Sequence, residues 1–577
     1  MSKKLPAPWL KSYGNREKSL KYPVGSIYDE VERAASKYPD IIALNYFDRK
    51  ISYNELMTQI DKAARSFIAL GAQKGDAISI CSANVPEAIF AIYAASKIGC
   101  VANIFHPLSA PNEIRDYLNL VESKILVAID VAWPNIEPIL TETDVQETVL
   151  ISPIDSLPVL SKLGMNLINA VDVRKNLAKI FQKKPKNLLN WEEFLGQGTH
   201  IARTDVRERQ HANDTAVIIY SGGTTGKSKG VAISNLSCNA MSLQLESFFK
   251  EEIQPGRSVL GIMPIFHGFG LGVGFHFFLT HGMCNKMIPK FNAKKFDRIL
   301  QHMKPDFLVG IPTLYEAMLR NRRIRKMDLS FIRVAISGGD NLTTPLKMAV
   351  DEMFAKRGSK ARIIQGYGLT ECFCVAVVNL LEYQRDDSIG IPMPDIYAKI
   401  VQPGTRTELP TGKIGELCLT GPNNMTGYVN QEQETNQVLQ KHADGHVWVH
   451  TGDLARMDKD GYIFFAQRLK RMIISSGYNI YPSQVEEVIM KVPEVLIATV
   501  VGVPDEYRGQ IAKAFVVVKD EHRRMSHSEI RERIMNECKQ NLAKYEWPRA
   551  IEFRDSLPKT KIGKVAYHEL TNENDDK

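Results

Sequence analysis

Short apolar runs that alternate with amphipathic segments set the fold class of this chain. Residues 77–81 form one apolar run, and Asn84 stands where it would cap a helix with Ile89 and Ile92 on one face. We expect a strand followed by a helix that ends near Gly99. The alternation recurs to about residue 400, with further runs that each lead into Gly, Ser or Thr at residues 216–219, 307–309 and 334–336. This pattern predicts an α/β fold, with ligand sites where strands end.

The chain is too long for a single hydrophobic core. It has 577 residues, and chains beyond roughly 250–300 residues divide into domains. From about residue 395 the pattern changes to short strands and turns, and after Lys470 a compact unit begins, in which Ser526 and Glu529 have the spacing of a helix capping box. We expect a large N-terminal domain with several subdomains, a hinge, and a small mobile α+β domain, over residues 1–467, 468–470 and 471–577.

Composition excludes several classes of protein. No apolar run approaches the roughly 20 residues that span a bilayer, the first residues lack the apolar core of a signal peptide, and the eight cysteines show no paired metal-ligand spacing. These features predict a cytoplasmic protein with free thiols. The net charge of +8 comes partly from a basic cluster at residues 320–326, which lacks the interleaved aromatics of a nucleic-acid surface. We expect that the protein does not bind nucleic acid. Peripheral contact with a membrane surface remains an alternative for the basic residues.

One decapeptide, SGGTTGKSKG at residues 221–230, has the composition of a phosphate-binding loop. A P-loop needs four residues between its first glycine and the Gly-Lys pair, but only three separate Gly222 from Gly226. Residues 231–233 then predict a strand, whereas a helix follows a P-loop. We expect the tip of a hairpin, in which glycines keep the backbone mobile and the remaining side chains offer donors. An ordinary surface loop is the alternative.

Six further polar stretches follow where strands should end. They are PIFHGFG (264–270), SGGDNL (337–342), GYGLTE (366–371), TGD (451–453), QRLKRMIISSGYNIYP (467–482) and PKTKIGK (558–564). With SGGTTGKSKG, in this order, they resemble the acyl-adenylate-forming superfamily of acyl-CoA synthetases, coumarate ligases, luciferases and peptide-synthetase adenylation domains. The resemblance covers nearly the whole chain. It implies that a carboxylate attacks the α-phosphate of ATP, pyrophosphate leaves, and the acyl-adenylate passes its acyl group to a thiol.

The resemblance also implies roles for the residues that hold ATP. The glycine-rich loop would close over the β- and γ-phosphates through Ser221, Gly222, Gly223, Thr224, Thr225, Gly226, Lys227 and Lys229. Thr370 would hydrogen-bond the α-phosphate, and Glu371 would be the carboxylate ligand of Mg²⁺, a hard cation that prefers oxygen. An isolated Glu at that position would equally suit the N-terminus of a helix.

Further matches concern the nucleoside. Asp453 matches the residue that accepts hydrogen bonds from the ribose hydroxyls, and Arg468 matches a second ribose or phosphate contact. Gly338, Gly339 and Asp340 match the loop that lines the adenine slot. Tyr367 would stack on the other face of the base.

The last matches concern domain movement and the thiol. Lys564 matches the lysine that bridges the carboxylate substrate and the α-phosphate, and Lys470 matches the pivot of the small domain. Rotation would withdraw Lys564 and present the face around Gly477 to the thiol donor. Gln467 departs from the Gly or Asp usual in the family at that position.

The acid substrate is suggested by PIFHGFG. His267 matches a residue at the mouth of the acyl pocket. Gly268 replaces the aspartate that receives the ammonium group in amino-acid activators, so an α-amino acid would leave a buried charge unpaired. The glycines up to Gly274 have two possible explanations: they keep a tunnel open for the acid, or they allow helices to pack closely. We expect an AMP-forming ligase that uses ATP, Mg²⁺ and CoA on a medium- or long-chain fatty acid. The alternatives are an aromatic or bile acid, transfer to a carrier protein, or a catalytically silent relative.

Overall fold

The molecule has a large N-terminal part built on two mainly parallel sheets, followed by two smaller sheets. The structure is a computed structural model that describes residues 5–158, 169–182, 187–202, 205–221, 228–475, 478–505, 507–560 and 565–572, with residues 470, 478, 479, 568 and 572 described by their backbone alone. In these ranges no helix is long and apolar enough to cross a membrane. The mixed architecture confirms the predicted α/β fold.

The first sheet has nine strands and is parallel through its middle, with antiparallel strands at both edges. In spatial order the strands are Ile391–Pro392, Val377–Val378, Ile363–Tyr367, Val334–Ser337, Phe307–Gly310, Ser258–Gly261, Cys284–Met287, Ile42–Tyr46 and Arg49–Ser52. The loops SGGDNL and GYGLTE therefore follow neighbouring parallel strands and meet at one edge of this sheet.

The second sheet has eight strands, and the three strands at one end pair antiparallel. In spatial order the strands are Gly427–Tyr428, Lys229–Ser234, Thr215–Ser221, Val101–Phe105, Ala77–Cys81, Ile125–Ile129, Glu147–Ile151 and Leu188–Asn190. One continuous hydrophobic core, from Trp9 to Ile463, joins this sheet to the first.

The third and fourth sheets have five strands each. The third consists of Tyr397–Val401, Gly415–Thr420, Leu439–Lys441, Val447–Met457 and Ile463–Arg468, all antiparallel. The fourth consists of Ile473–Ser475, Tyr478–Ile480, Val495–Asp505, Gly509–Val518 and Ala550–Phe553. The fourth sheet has hydrophobic cores of its own, and Ile473 is the first residue in them. The predicted hinge at 468–470 falls between the last residue of the large core and the first of the small one, and the domain limits stay a prediction.

Helices pack against the large sheets and against both faces of the fourth, where Ile530 and Leu570 belong to separate cores. The α-helices are Ile27–Lys37, Tyr53–Ala69, Pro86–Lys97, Pro111–Leu120, Trp133–Ile136, Ala170–Gln182, Trp191–Gln197, Asn235–Phe249, Phe277–Thr280, Phe296–Met303, Pro312–Arg320, Thr344–Lys356, Glu432–Val438, Pro482–Met490, His527–Asn541 and Tyr567–Asn572. Phe269–His276 is a π-helix. The 3₁₀ turns are Pro8–Tyr13, Asp130–Ala132, Glu137–Glu142, Gly198–His200, Lys250–Glu252, Ala293–Lys295, Ile324–Lys326, Thr370–Cys372, Leu469–Arg471 and Asp520–His522.

Two predictions about helix ends are wrong. Val85, and not Asn84, caps Pro86–Lys97, which is buried on every side. The Asn84 amide instead donates to the carbonyls of Gly261 and Met263 at 3.0 Å each, while its oxygen accepts from the Ile265 amide at 3.0 Å. A buried amide with these partners anchors the loop that leads to His267. At the helix His527–Asn541, the Ser526 side chain accepts from the Ser528 amide, while the Glu529 amide donates to the Ser526 backbone carbonyl, so the capping box is incomplete.

Candidate active site

The end of the hairpin in the second sheet places Lys229 beside an aromatic ring. Ser221 and Lys229 pair directly across the two strands, which confirms the predicted hairpin. Gly222, Gly223, Thr224, Thr225, Gly226 and Lys227 lie outside the described residues. The Lys229 Nζ stands 4.8 Å from the centroid of the Tyr428 ring, in cation–π range.

Glu371 is held by the same tyrosine. The Tyr428 hydroxyl donates to Glu371 Oε1 at 2.8 Å, and the Met425 amide donates to the Glu371 carbonyl at 2.8 Å. Burial, and then the charge of Glu371, raise the pKa of Tyr428, so its hydroxyl stays a donor. Glu371 and Thr370 lie half-buried in a 3₁₀ turn and not at the start of an α-helix, so the alternative of a helix-dipole residue is not supported.

The turn after Thr370 is tightly folded. Phe373 and Cys374 have φ of 38° and 71°, in the left-handed region, and a Cβ on Gly368 would lie 2.1 Å from the Cys374 carbonyl oxygen. Only glycine fits at position 368, because the chain folds back against itself there. This turn presents Thr370 and Glu371 at the end of the strand Ile363–Tyr367.

Asp453 is the centre of a second polar cluster. Its carboxylate accepts a 2.7 Å hydrogen bond from the Tyr367 hydroxyl, and Arg468 Nε lies 3.5 Å from the other oxygen. The residue is 4% exposed, whereas the Arg468 side chain is 57% exposed. Asp453 raises the pKa of Arg468, and burial followed by Asp453 raises that of Tyr367. These two donors fix the orientation of a nearly buried carboxylate.

The two glycines of SGGDNL are each required by a different feature of the backbone. Gly339 has φ +75°, and a Cβ on Gly338 would lie 3.3 Å from the Gly366 carbonyl oxygen. Asp340 follows, half-buried, and accepts from the Asn341 amide at 2.9 Å. The loop therefore lies close against the strand that carries Tyr367.

His267 lies half-buried at the end of the loop anchored by Asn84. Its Nδ1 accepts from the Phe269 amide at 3.2 Å, so in the neutral ring the proton resides on Nε2. The following π-helix is buried throughout. A Cβ would lie 1.9 Å from the Pro264 oxygen at Gly270 and 2.7 Å from the Cys374 sulfur at Gly272. At these two positions the structure favours close packing over an open tunnel.

The last helix of the small domain, Tyr567–Asn572, lies toward the SGGDNL loop. Burial, and then Asp340, raise the pKa of Tyr567, and the Arg471 guanidinium stands 3.6 Å over the Tyr567 ring. Lys564 lies outside the described residues, three positions before Tyr567, and Gly477 is also outside them. Lys470 is part of the turn Leu469–Arg471, with its side chain not described.

Sequence reasoning missed Tyr428, Arg471 and Tyr567. Each acts through a partner that is distant in the chain, and no local motif marks Tyr428 as the partner of Glu371. In the sequence, Gln467 stands out only as a departure from the family pattern. It is fully buried, and neither its amide nitrogen nor its oxygen has a hydrogen-bond partner among the described residues.

The chain is similar to known proteins over nearly its whole length. The family model described as AMP-binding enzyme matches residues 31–429, and the model described as AMP-binding enzyme C-terminal domain matches residues 484–564. Proteins named long-chain-fatty-acid–CoA ligase are similar over 98% of both chains, at 29% identity in Bacillus subtilis (strain 168) and 30% in Yersinia pestis. The ATP-bound RpMatB-BxBclM chimera B1 is 25% identical, with a TM-score of 0.81 over 96% of this chain and 99% of that one.

Proposed function

This chain belongs to the AMP-binding enzyme family, and we propose that it joins a carboxylic acid to CoA with ATP. The acid first forms an acyl-adenylate with release of pyrophosphate, and the acyl group then passes to the CoA thiol. A medium- or long-chain fatty acid is the proposed substrate, because relatives similar over nearly the whole chain bear the name long-chain-fatty-acid–CoA ligase.

One observation carries the proposal from the structure. Tyr428 contacts Lys229 with its ring and Glu371 with its hydroxyl. The cation at the end of the predicted phosphate loop and the predicted magnesium ligand therefore lie within reach of one side chain. Glu371 is a half-buried carboxylate oriented by a neutral donor, which suits a hard divalent cation. Mg²⁺ bound there would neutralise charge on the phosphate oxygens.

In the first half-reaction, the chain would steady the leaving pyrophosphate. Lys229 and Ser221 flank the loop that would contact the β- and γ-phosphates, and Thr370 would donate to the α-phosphate. Donors preorganised toward developing charge each contribute on the order of 2.7–4 kcal/mol. Asp453 would accept from the ribose hydroxyls, held in orientation by Tyr367.

The hinge is proposed at Arg468 to Lys470. Lys564 would bridge the acid and the α-phosphate during adenylation, and rotation of the small domain would then exchange it for the face around Gly477. The Gln467 amide has no hydrogen-bond partner in the described part of the chain, which supports movement here, because a buried polar group without a partner costs about 1–3 kcal/mol. A rearranged hinge that solvates Gln467 would recover that free energy.

The acid-binding side is proposed near His267 and Gly268. The absence of a carboxylate at Gly268 supports an acid without an α-amino group. An aromatic or bile acid is the second candidate substrate class, and a carrier protein is the less favoured acyl acceptor.

The proposal extends to where the enzyme acts. All eight cysteines are free thiols, which supports a location in the cytoplasm.

Peripheral membrane contact would suit an apolar substrate. The helix Ala170–Gln182 supports it, because Arg174, Lys175 and Lys179 are exposed along it beside Val171. Co-sedimentation with anionic but not zwitterionic vesicles would agree with this contact, and equal sedimentation with both would contradict it.

The test of substrate class is exchange of pyrophosphate into ATP without CoA, across straight-chain, aromatic, bile and amino acids. Exchange that is strongest with straight-chain acids, followed by CoA-dependent release of AMP, is the expected result. Exchange that is strongest with aromatic or bile acids would overturn the substrate class. AMP release that needs a carrier protein and not CoA would overturn the acceptor.

A further inference from the structure

A cysteine and two histidines meet in the third sheet. Cys418 pairs directly with His450 on the neighbouring antiparallel strand, and His442 follows the strand Leu439–Lys441 on the other side of His450's strand. One potential ligand atom from each residue lies within 4.8 Å of the others. Cys418 is fully buried, and His442 and His450 are 5% and 9% exposed. None of the three has a role in the proposed reaction.

We propose that these three side chains bind one Zn²⁺ ion, independently of the proposed ligase reaction. The ligands would be the Cys418 thiolate and one ring nitrogen each of His442 and His450. A thiolate with two imidazoles suits Zn²⁺, whereas Mg²⁺ prefers oxygen ligands. The site is therefore distinct in chemistry from Glu371.

Glu416 orients one of the ligands. Its Oε2 lies 3.0 Å from His450 Nδ1, and its Oε1 accepts from the Gly452 amide at 3.1 Å. With the carboxylate fixed in this way, His450 keeps its proton on Nδ1 and turns the lone pair of Nε2 toward His442. A carboxylate behind a histidine is the usual outer-shell arrangement of zinc-binding histidines.

His442 is held more loosely than His450. Its Nε2 lies 3.0 Å from His450 Nε2, and its Nδ1 is buried without a hydrogen-bond partner among the described residues. Zinc–nitrogen bonds of about 2.0–2.1 Å place tetrahedral ligand nitrogens about 3.3 Å apart. The two imidazoles are already within a few tenths of an ångström of that spacing.

The surrounding charges suit a divalent cation. In the described part of the chain, three carboxylates and two cations act on Cys418 and His442: Glu408, Glu416, Asp444, Lys399 and Arg406. Lys399 is already paired with Asp444 at 2.7 Å and Glu408 at 3.1 Å. The carboxylates outnumber the cations by one, and the Cys418 thiolate adds a second net negative charge. Zn²⁺ would compensate both.

The test is titration of the reduced, chelator-treated full-length protein with Co²⁺, followed by absorption spectroscopy. One equivalent should produce a thiolate-to-cobalt charge-transfer band, and one equivalent of Zn²⁺ should abolish it. Cys418→Ser should lose the band, while Cys538→Ser, which alters a buried cysteine in the fourth sheet's domain, should keep it. His442→Gln should weaken Zn²⁺ binding at least tenfold in calorimetry, whereas His302→Gln, at an exposed site, should not.

Absence of the band, or its persistence in Cys418→Ser, would overturn the site. Should Cys418→Ser not fold, as judged by circular dichroism, His442→Gln decides the question, and unchanged affinity there refutes the proposal. Both measurements omit ATP and acid. A failed metal titration therefore leaves the ligase proposal intact, and the converse also holds.

Discussion

Replacing Glu87 by glutamine should stabilise the protein, and the gain should grow with pH. Glu87 is 2% exposed on the helix Pro86–Lys97. One carboxylate oxygen accepts from the Ser156 hydroxyl, and the other has no hydrogen-bond partner among the described residues. Burial, and then the nearby Asp155, raise the pKa of Glu87 from 4.5 to about 7, against the opposing effects of the Ser156 hydrogen bond, the Glu87 backbone amide and, last, Arg49.

The sign follows from proton binding. Between pH 4.5 and 7 the folded protein keeps a proton that the unfolded chain has released, so stability falls as the pH rises through this window and is level above it. A shift of about 2.5 pKa units corresponds to about 3 kcal/mol at 1.36 kcal/mol per unit. Glutamine keeps the bond to Ser156 without the ionisation, so it should recover most of this free energy at pH 8 and little at pH 5.

The assay is thermal unfolding of wild type and Glu87→Gln at pH 5, 6, 7 and 8. A domain of roughly 460 residues has an unfolding entropy near 1 kcal/mol/K, so the difference in Tm should increase by about 3 °C between pH 5 and pH 8. Glu192→Gln, at an exposed position on the helix Trp191–Gln197, is the matched control and should show no trend. A difference in Tm that is constant or decreases with pH would refute the reasoning.

Three further predictions concern the proposed reaction. Tyr428→Phe should lower kcat/KM for MgATP about tenfold, because a hydrogen bond to a charged group contributes about 1.5 kcal/mol. Tyr22→Phe, which removes a similar 2.7 Å bond to Asp395 elsewhere, should leave kcat/KM unchanged, and equal effects would contradict the role of Tyr428. Lys564→Ala should slow adenylation roughly 100-fold, yet spare thioester formation from supplied acyl-AMP; equal loss in both half-reactions would refute alternating domains. Lys470→Pro should show the reverse pattern, and equal impairment of adenylation would refute the hinge.

Local sequence was sufficient to predict the backbone elements that form the site. The apolar run at 334–336 became Val334–Ser337, with Gly338 following the strand as expected, and the spacing of SGGTTGKSKG distinguished a hairpin from a P-loop. These features depend on periodicity and on glycine, which act over a few residues.

The side-chain partners could not be predicted in the same way. Tyr428 reaches Glu371 from 57 positions away, and Cys418 meets His450 only because their strands pair. Asn84 is of a residue type that often caps helices, but in the folded protein its side chain bonds three backbone groups of another segment instead. Such contacts depend on which strands become neighbours, and a single sequence does not specify that.

The most direct test of the central claim is to identify the products formed from ATP by the full-length enzyme with Mg²⁺, CoA and a long-chain fatty acid. Phosphorus NMR and nucleotide chromatography should find AMP and pyrophosphate in equal amounts, together with acyl-CoA. ADP and orthophosphate as the primary products would contradict the account, because they would mean that the glycine-rich loop supports cleavage at the γ-phosphate and not between the α- and β-phosphates.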